Sequence, residues 1–175
     1  VVLLLIKNAT KGFGQYTTDQ MIVFFLVYQL IDTIGQIFYR GVYTFSNLIK
    51  SGEFDLFLSK PLNPLFWALT GSPDINDVVF LVPNLIVSGI VFSQLDVVVT
   101  TSSLLLFAAL LLNSFLIVTA LHIVVLTIGV ITTEVDGVIW MYRDLSRLGS
   151  FPASIYKEPL KFTLFFIIPI GMMMT

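Results

Sequence analysis

The chain has 175 residues, of which 57% are hydrophobic and 11% are charged, with a mean hydropathy of +0.95. A soluble domain carries about 25% charged residues, so water is not the solvent for most of this chain. The net charge of −2 is spread without a basic run, which excludes nucleic acid as a partner. The absence of cysteine excludes disulfides and thiolate chemistry.

The apolar residues are gathered into long uncharged runs separated by short charged segments. This pattern is typical of helices of about 20 residues that cross a hydrocarbon core of roughly 30 Å. We therefore expect a single transmembrane domain over residues 1–175, folded as an all-α, polytopic helical bundle.

The first complete crossing is predicted near residues 20–43. Gln29, Asp32, Gln36 and Arg40 follow one another at spacings of three or four, which places them on one helix face. An Asp at the centre of a membrane helix costs about 2.5–3.5 kcal/mol on insertion scales, so such groups face the bundle interior or an aqueous cavity. Gln29, Asp32 and Gln36 are therefore candidates for a translocation path. The alternative is that this end leaves the membrane, with Arg40 at the head groups and paired with Gln36 or Asp32.

Residues 44–69 are expected to lie along the cytoplasmic interface without crossing it. Apolar residues recur at helical spacing between charged ones in and just before this segment, which predicts amphipathic helices. Gly52 breaks the pattern, and Pro61 and Pro64 forbid a continuous helix afterwards. The apolar positions of the first pattern are Phe38, Val42, Phe45 and Ile49.

Two further complete crossings are predicted near residues 76–95 and 104–131. Pro83 in the first removes one backbone hydrogen bond and predicts a kink. The second carries His122, the only histidine of the chain. We expect this histidine to bond a neighbouring helix, because no second His or Cys exists to complete a metal site.

The rest of the apolar sequence is less regular. Apolar and charged positions alternate over residues 134–150, so a crossing here needs a polar side that faces protein. The last apolar run, 162–175, is interrupted by Pro169 and Gly171 and predicts only a partial helix. The chain starts without Met and stops inside an apolar run, so we expect it to be incomplete at both ends.

The distribution of positive residues predicts the orientation, since Lys and Arg prefer cytoplasmic loops. Segment 41–77 contains Lys50 and Lys60, whereas segment 94–103 contains no positive residue. The first is therefore expected in the cytoplasm and the second outside. The same rule assigns no clear side to residues 134–161.

Two stretches resemble a known family. Residues 49–66 read Ile-Lys-Ser-Gly-Glu-Phe-Asp-Leu-Phe-Leu-Ser-Lys-Pro-Leu-Asn-Pro-Leu-Phe. This block resembles the segment after an early transmembrane helix in permeases of the type-2 ABC exporter superfamily, in the viologen-exporter-like branch. The stretch from Phe151-Pro152 through Pro159 to Ile168-Pro169 is similar to that branch's segment before its last helix. Members typically have six helices, so the resemblance implies that a first helix and the end of the last are missing.

The resemblance implies the membrane-spanning subunit of an ATP-driven exporter in a bacterial or archaeal cell membrane, in contact with membrane lipid. It implies that segment 44–69 contacts a separate ATPase subunit, which carries ATP and Mg. A second permease subunit would complete a homodimer or a heterodimer. The alternative for the same segment is that it only binds the membrane surface. The residues implied for the ATPase contact are Ser51, Gly52, Glu53, Phe54 and Asp55.

The sequence gives little support for catalysis by the chain itself. No Gly-x-x-x-x-Gly-Lys-Ser/Thr phosphate loop occurs, so we expect no cofactor on this chain and ATP hydrolysis on a partner. The first competing hypothesis is an intramembrane enzyme acting on a lipid-linked substrate, which would recruit Asp32, His122 and Glu134, although no motif links them. The second is a passive membrane scaffold. Apolar helices with a few polar residues suit drugs, lipids and peptides alike, so the pattern selects no substrate.

Overall fold

The structure is a computed structural model that describes residues 16–95, 99–132, 135–152 and 155–174. The regular elements within these ranges are helices, which confirms the predicted all-α class. A π-helical turn, Thr163–Ile167, lies between the last two α-helices. In chain order the α-helices are α1 (Thr18–Lys50), α2 (Glu53–Leu58), α3 (Pro64–Thr70), α4 (Ile75–Ser93), α5 (Thr101–Thr132), α6 (Val135–Leu148), α7 (Leu160–Phe162) and α8 (Ile170–Met174).

Three of the described helices, α1, α4 and α5, are long and apolar enough to cross a membrane. They contain 33, 19 and 32 residues, whereas about 20 suffice for a bilayer core. Leu95, just after α4, borders a cavity with Val23 near the start of α1, while Arg40 further along α1 pairs with Asp74 just before α4. Helices α1 and α4 are therefore antiparallel. No residue of α4 is buried, so its apolar side chains are free to face lipid.

Helix α1 continues to Lys50 and does not end near residue 43 as predicted. The Thr17 side chain accepts the backbone N–H of Gln20, and the Gln20 side chain accepts that of Thr17, which closes a capping box at its start. The helix bends at Tyr39, where φ is −113° and ψ is 21°. Because no proline lies in α1, the change from spanning to amphipathic sequence produces a bend and no break. The predicted interfacial segment therefore begins inside α1, and its separate helices are α2 and α3.

The apolar pattern predicted for this part of the chain is correct at three of its four positions. Val42 and Phe45 are fully buried, and Ile49 packs against the same core. Phe38 is 57% exposed, because the bend at Tyr39 lies between it and the rest of the pattern.

A core cluster joins the end of α1 to three other helices. Val42 and Phe45 pack there against Ala68 and Leu69 of α3. Helices α5 and α6 also contribute to it, so the second half of α1, the short helix α3 and both later helices share one apolar core. The cluster residues from these later helices are Val125, Leu126, Ile139 and Tyr142.

Helix α6 lies along α1 in the opposite direction and turns polar side chains towards it. Asp136 at its start accepts hydrogen bonds from Ser46 Oγ at 2.9 Å and Lys50 Nζ at 3.3 Å. Beyond its other end, Ser150 borders a cavity together with Phe25 of α1. This arrangement supplies the protein-facing polar side that the alternating pattern of 134–150 required. Glu134 itself lies outside the described residues.

The last apolar run is divided into two short pieces. Ile168 is extended, with φ at −123° and ψ at 97°, between the π-helical turn and α8. The residue before a proline is disfavoured in helical conformation, so Pro169 accounts for the division. Leu164 and Ile170 are both buried, and Ile170 packs with Ile31 of α1.

The close contact between α1 and α3 depends on Gly41. A Cβ atom at this position would lie 2.4 Å from the Ala68 carbonyl oxygen and 2.7 Å from that of Leu69. Real Cβ atoms do not approach backbone oxygen this closely, so the two helices must separate if any side chain is added. Gly89 on α4, by contrast, has no such atom within 4 Å.

We expect Gly41→Ala to destabilise the folded protein by about 1–3 kcal/mol, the usual cost of overpacking a filled contact. Gly89→Ala is the matched control, because it makes the same helix-favouring change in open space. Thermal unfolding of both variants in detergent measures the difference. A Gly41→Ala protein that melts at or above the temperature of Gly89→Ala would contradict the close α1–α3 contact.

Candidate functional site

The three residues predicted for a translocation path line one cavity. Gln29, Asp32 and Gln36 of α1 border a cavity of about 390 Å³ between α1, α4 and α6. The rest of its wall combines apolar side chains of α1 and α4 with further polar groups. These other polar groups are Thr33, Asp77, Asn84 and Arg143.

A second cavity of about 410 Å³ lies between α1 and α6. Gln29, Asp32 and Arg143 border both cavities, together with Phe25. The polar face of α1 is therefore continuous with open space on either side of Asp32. The polar residues that border the second cavity but not the first are Tyr28, Ser146, Arg147 and Ser150.

Arg143 brings a positive charge to these cavities without a carboxylate partner. Its side chain is partly buried, and no carboxylate among the described residues forms an ion pair with it within 4.0 Å. Its guanidinium carbon lies 5.8 Å from the centre of the Tyr43 ring. Asp32 borders the same two cavities as Arg143. Ionisable groups at membrane depth usually face the bundle interior or an aqueous cavity.

Arg40 does not pair with Gln36 or Asp32, as the sequence had suggested. It forms ion pairs with Asp74 at 3.1 Å and with Asp77 at 3.7 Å, which tie α1 to the start of α4. Gln36 instead donates from Nε2 to the Tyr43 hydroxyl at 3.0 Å. On the polar face of α1, the cavity is thus lined by Gln29, Asp32 and Gln36, whereas Arg40 forms ion pairs with residues at the start of α4.

The candidate ATPase contact follows a sharp turn after α1. Gly52 has a φ of +74°, a left-handed conformation that other residues adopt only with strain. Of the five residues implied by the resemblance, four are exposed and only Phe54 is partly buried. Phe54 packs edge-on against Phe45, with ring centroids 4.8 Å apart. Phe54 therefore anchors α2 to the core, and the exposed residues are Ser51, Gly52, Glu53 and Asp55.

Helices α2 and α3 are held together as one unit. The Phe57 ring stacks on the Trp67 ring at a centroid distance of 3.5 Å and an interplanar angle of 17°. Lys60 Nζ lies 4.1 Å from the centre of the Phe57 ring, a cation–π contact. The outer surface of this unit is apolar as well as acidic, because it also exposes Leu56, Leu62 and Phe66.

His122 does not form the hydrogen bond to a neighbouring helix that was predicted. Its Nδ1 is 2.8 Å from the Val118 carbonyl oxygen of the same helix. Its ring instead contacts the neighbouring helices through aromatic packing, 4.9 Å from the Tyr39 ring and 4.8 Å from the Tyr142 ring. Within the part of the chain that the structure describes, no three His, Cys, Asp or Glu side chains are grouped to hold a metal.

Arg143 and Asp77 are the charged residues of the first cavity that sequence analysis did not single out. Arg143 was visible as a charged position in an alternating segment, but its neighbours depend on how α6 docks on α1. Asp77 stood at the expected start of the second crossing, where a helix-capping role accounts for an acidic residue. Helical spacing relates residues of one helix only, so these inter-helix neighbours carried no sequence signal.

A protein-family model described as ABC-2 family transporter protein matches residues 1–175, the whole chain. Searches of curated proteins and of solved structures found no match. The family match agrees with the three helices that are long and apolar enough to cross a membrane. The chain therefore belongs to the ABC-2 family of transporters, as a membrane-spanning permease subunit.

Proposed function

We propose that this permease subunit belongs to an ATP-driven exporter of the viologen-exporter-like branch and supplies part of its translocation path. The observation that carries the proposal is the polar cavity in the bundle, which Asp32 borders together with Arg143, a residue without an ion pair to any described carboxylate. A lipid-facing surface would not accommodate either charge. A cavity of this size, with apolar walls and a few polar groups, suits a ligand-binding site.

Energy for export would come from a separate ATPase subunit that binds the α2–α3 unit. Its exposed carboxylates, Glu53 and Asp55, can accept charge-assisted hydrogen bonds from basic groups of the partner. The neighbouring exposed apolar side chains, Leu56 and Phe66, can fill a groove on that partner. ATP and Mg would be bound by the partner chain.

Movement at this contact can be transmitted to the cavity through helices that pack against one another. Phe54 couples α2 to α1 through the Phe45 ring, and Asp136 couples the same end of α1 to α6. Helix α6 carries Arg143 into the cavity wall. A displacement of α2 would therefore move α1 and α6 as packed elements, which is how rigid helices transmit movement.

The remaining assignments follow from the same proposal. The chain would reside in a bacterial or archaeal cell membrane, with the α2–α3 unit on the cytoplasmic side. It would pair with a second permease subunit, identical or related, to complete the path between them. Substrates would enter from the cytoplasm and leave on the other side.

Glu53→Lys in the full-length transporter tests the ATPase contact. A carboxylate hydrogen bonded at a partly desolvated interface contributes about 1.5–3 kcal/mol, whereas a solvated one contributes roughly 0–1 kcal/mol. We therefore expect reversal of this charge to weaken co-purification of the ATPase subunit by about tenfold or more, on the scale of 1.4 kcal/mol per tenfold. Membrane insertion should be unchanged, because Glu53 is exposed.

Asp19→Lys is the matched control for this experiment. Asp19 is also an exposed carboxylate in the first turn of a helix, but it lies at the opposite end of α1. It should retain wild-type association. Equal ATPase binding, hydrolysis and export in Glu53→Lys and wild type would refute the contact, and the α2–α3 unit would then be an anchor at the membrane surface.

Asp32→Leu tests the translocation path. Loss of a charge-assisted interaction worth about 1.5–3 kcal/mol predicts roughly a tenfold to hundredfold decrease in export rate. The protein should still insert, because removing a charge at this depth lowers the cost of insertion. Export from inverted vesicles, normalised to the amount of transporter, measures the effect.

Asp144→Leu serves as the control, since Asp144 is an exposed carboxylate of α6 that pairs with Arg147. We expect it to keep export within about twofold of wild type, as is usual for exposed pairs of small energetic value. Normal export by Asp32→Leu at a normal protein level would overturn the assignment of Asp32 to the path.

A further inference from the structure

A small internal cavity lies between α1, α5 and α6, separate in size and position from the two larger ones. Its apolar lining residues include Ile31 and Val118, and its polar lining residues are Asp32, Gln36, His122, Tyr142 and Ser146. Gln36 is 7% exposed and His122 is 2% exposed, so both side chains are almost fully buried. Any polar atom that faces this space must find its partner inside the protein.

His122 presents an acceptor to this space. A carbonyl oxygen only accepts hydrogen bonds, so the contact between Nδ1 and the Val118 oxygen places the ring hydrogen on Nδ1. In the neutral ring, Nε2 then carries a lone pair and no hydrogen. Nε2 is buried and has no hydrogen-bond partner among the described residues.

Gln36 presents a second acceptor. Its Nε2 donates to the Tyr43 hydroxyl at 3.0 Å, so the amide oxygen is turned away from that hydroxyl. Its carbonyl oxygen, Oε1, is buried and also lacks a hydrogen-bond partner in the part of the chain that the structure describes. A buried acceptor without a donor costs about 1–3 kcal/mol, so two of them beside one cavity require a common explanation.

The volume of the small cavity indicates which ligand it can hold. About 10 Å³ is open to the centre of a water molecule, which is close to the minimum of roughly 10–15 Å³ for one buried water. Two acceptors need two donors, and one water molecule carries two hydrogens. We propose that this cavity is a binding site for a single water molecule that donates to His122 Nε2 and to Gln36 Oε1.

The site has a structural consequence that is independent of the transport proposal. The bound water connects α5 to α1 where no direct hydrogen bond joins His122 to Gln36. Because Asp32 borders this cavity as well as the two larger ones, the water also lies next to the polar face of α1. The hydrogen bond missing from His122 to a neighbouring helix is thereby supplied through water.

Solid-state NMR on the full-length protein in lipid bilayers tests this site directly. His122 is the only histidine of the 175 residues, so histidine labelled with ¹⁵N gives one ring to assign in this chain. We expect a protonated Nδ1, an unprotonated Nε2, and magnetisation transfer to Nε2 from a slowly exchanging water. Gln36→Leu should remove the water signal and leave Nδ1 protonated, because the Val118 carbonyl still accepts from it.

Gln29→Leu is the matched control on the same helix, since Gln29 lines the larger cavities but not the small one. It should keep the water signal at Nε2. A protonated Nε2, the absence of any water contact in the wild type, or direct transfer from the Gln36 amide hydrogens to Nε2 would each overturn the proposal.

Discussion

The structure depends on one constraint: a transmembrane helix with a polar face must find partners for that face in an apolar bundle. Along α1 this is done in three ways. Arg40 pairs with acidic groups at the start of α4, Gln36 bonds Tyr43 within α1, and Asp32 borders open cavities. Helix α6 packs along α1 with its polar side towards the polar face of α1. It places Arg143 beside the cavities and Asp136 against the end of α1.

The same packing joins the proposed ATPase contact to the proposed translocation path. The core cluster around Phe45 holds α1, α3, α5 and α6 together, and Phe54 fixes α2 to it. The glycine at position 41 lets α3 approach the backbone of α1 closely. The α2–α3 unit is therefore packed at its base and exposed at its surface, which is the arrangement that the proposed coupling between two subunits needs.

The sequence predicted the features that are encoded within single helices. Apolar run length predicted the three long helices, and spacing predicted that Gln29, Asp32 and Gln36 share a face. It did not predict the bend at Tyr39 or the partners of Arg40, because these follow from contacts between elements that are distant in the chain. The sequence did not predict the acceptors of Gln36 and His122 that lack donors among the described residues. Whether a buried acceptor finds a donor depends on how the helices pack together.

We expect water to reach the polar face of α1 within the membrane, and cysteine scanning tests this because the 175 residues contain no cysteine. Gln29 and Thr33 line the cavity between α1, α4 and α6, whereas Ile31 is buried and Leu85 of α4 is exposed on the apolar surface. Gln29→Cys and Thr33→Cys should react with a membrane-impermeant thiol reagent in oriented vesicles, while Ile31→Cys and Leu85→Cys should not. Equal protection of all four positions, or reaction at Leu85→Cys alone, would contradict it.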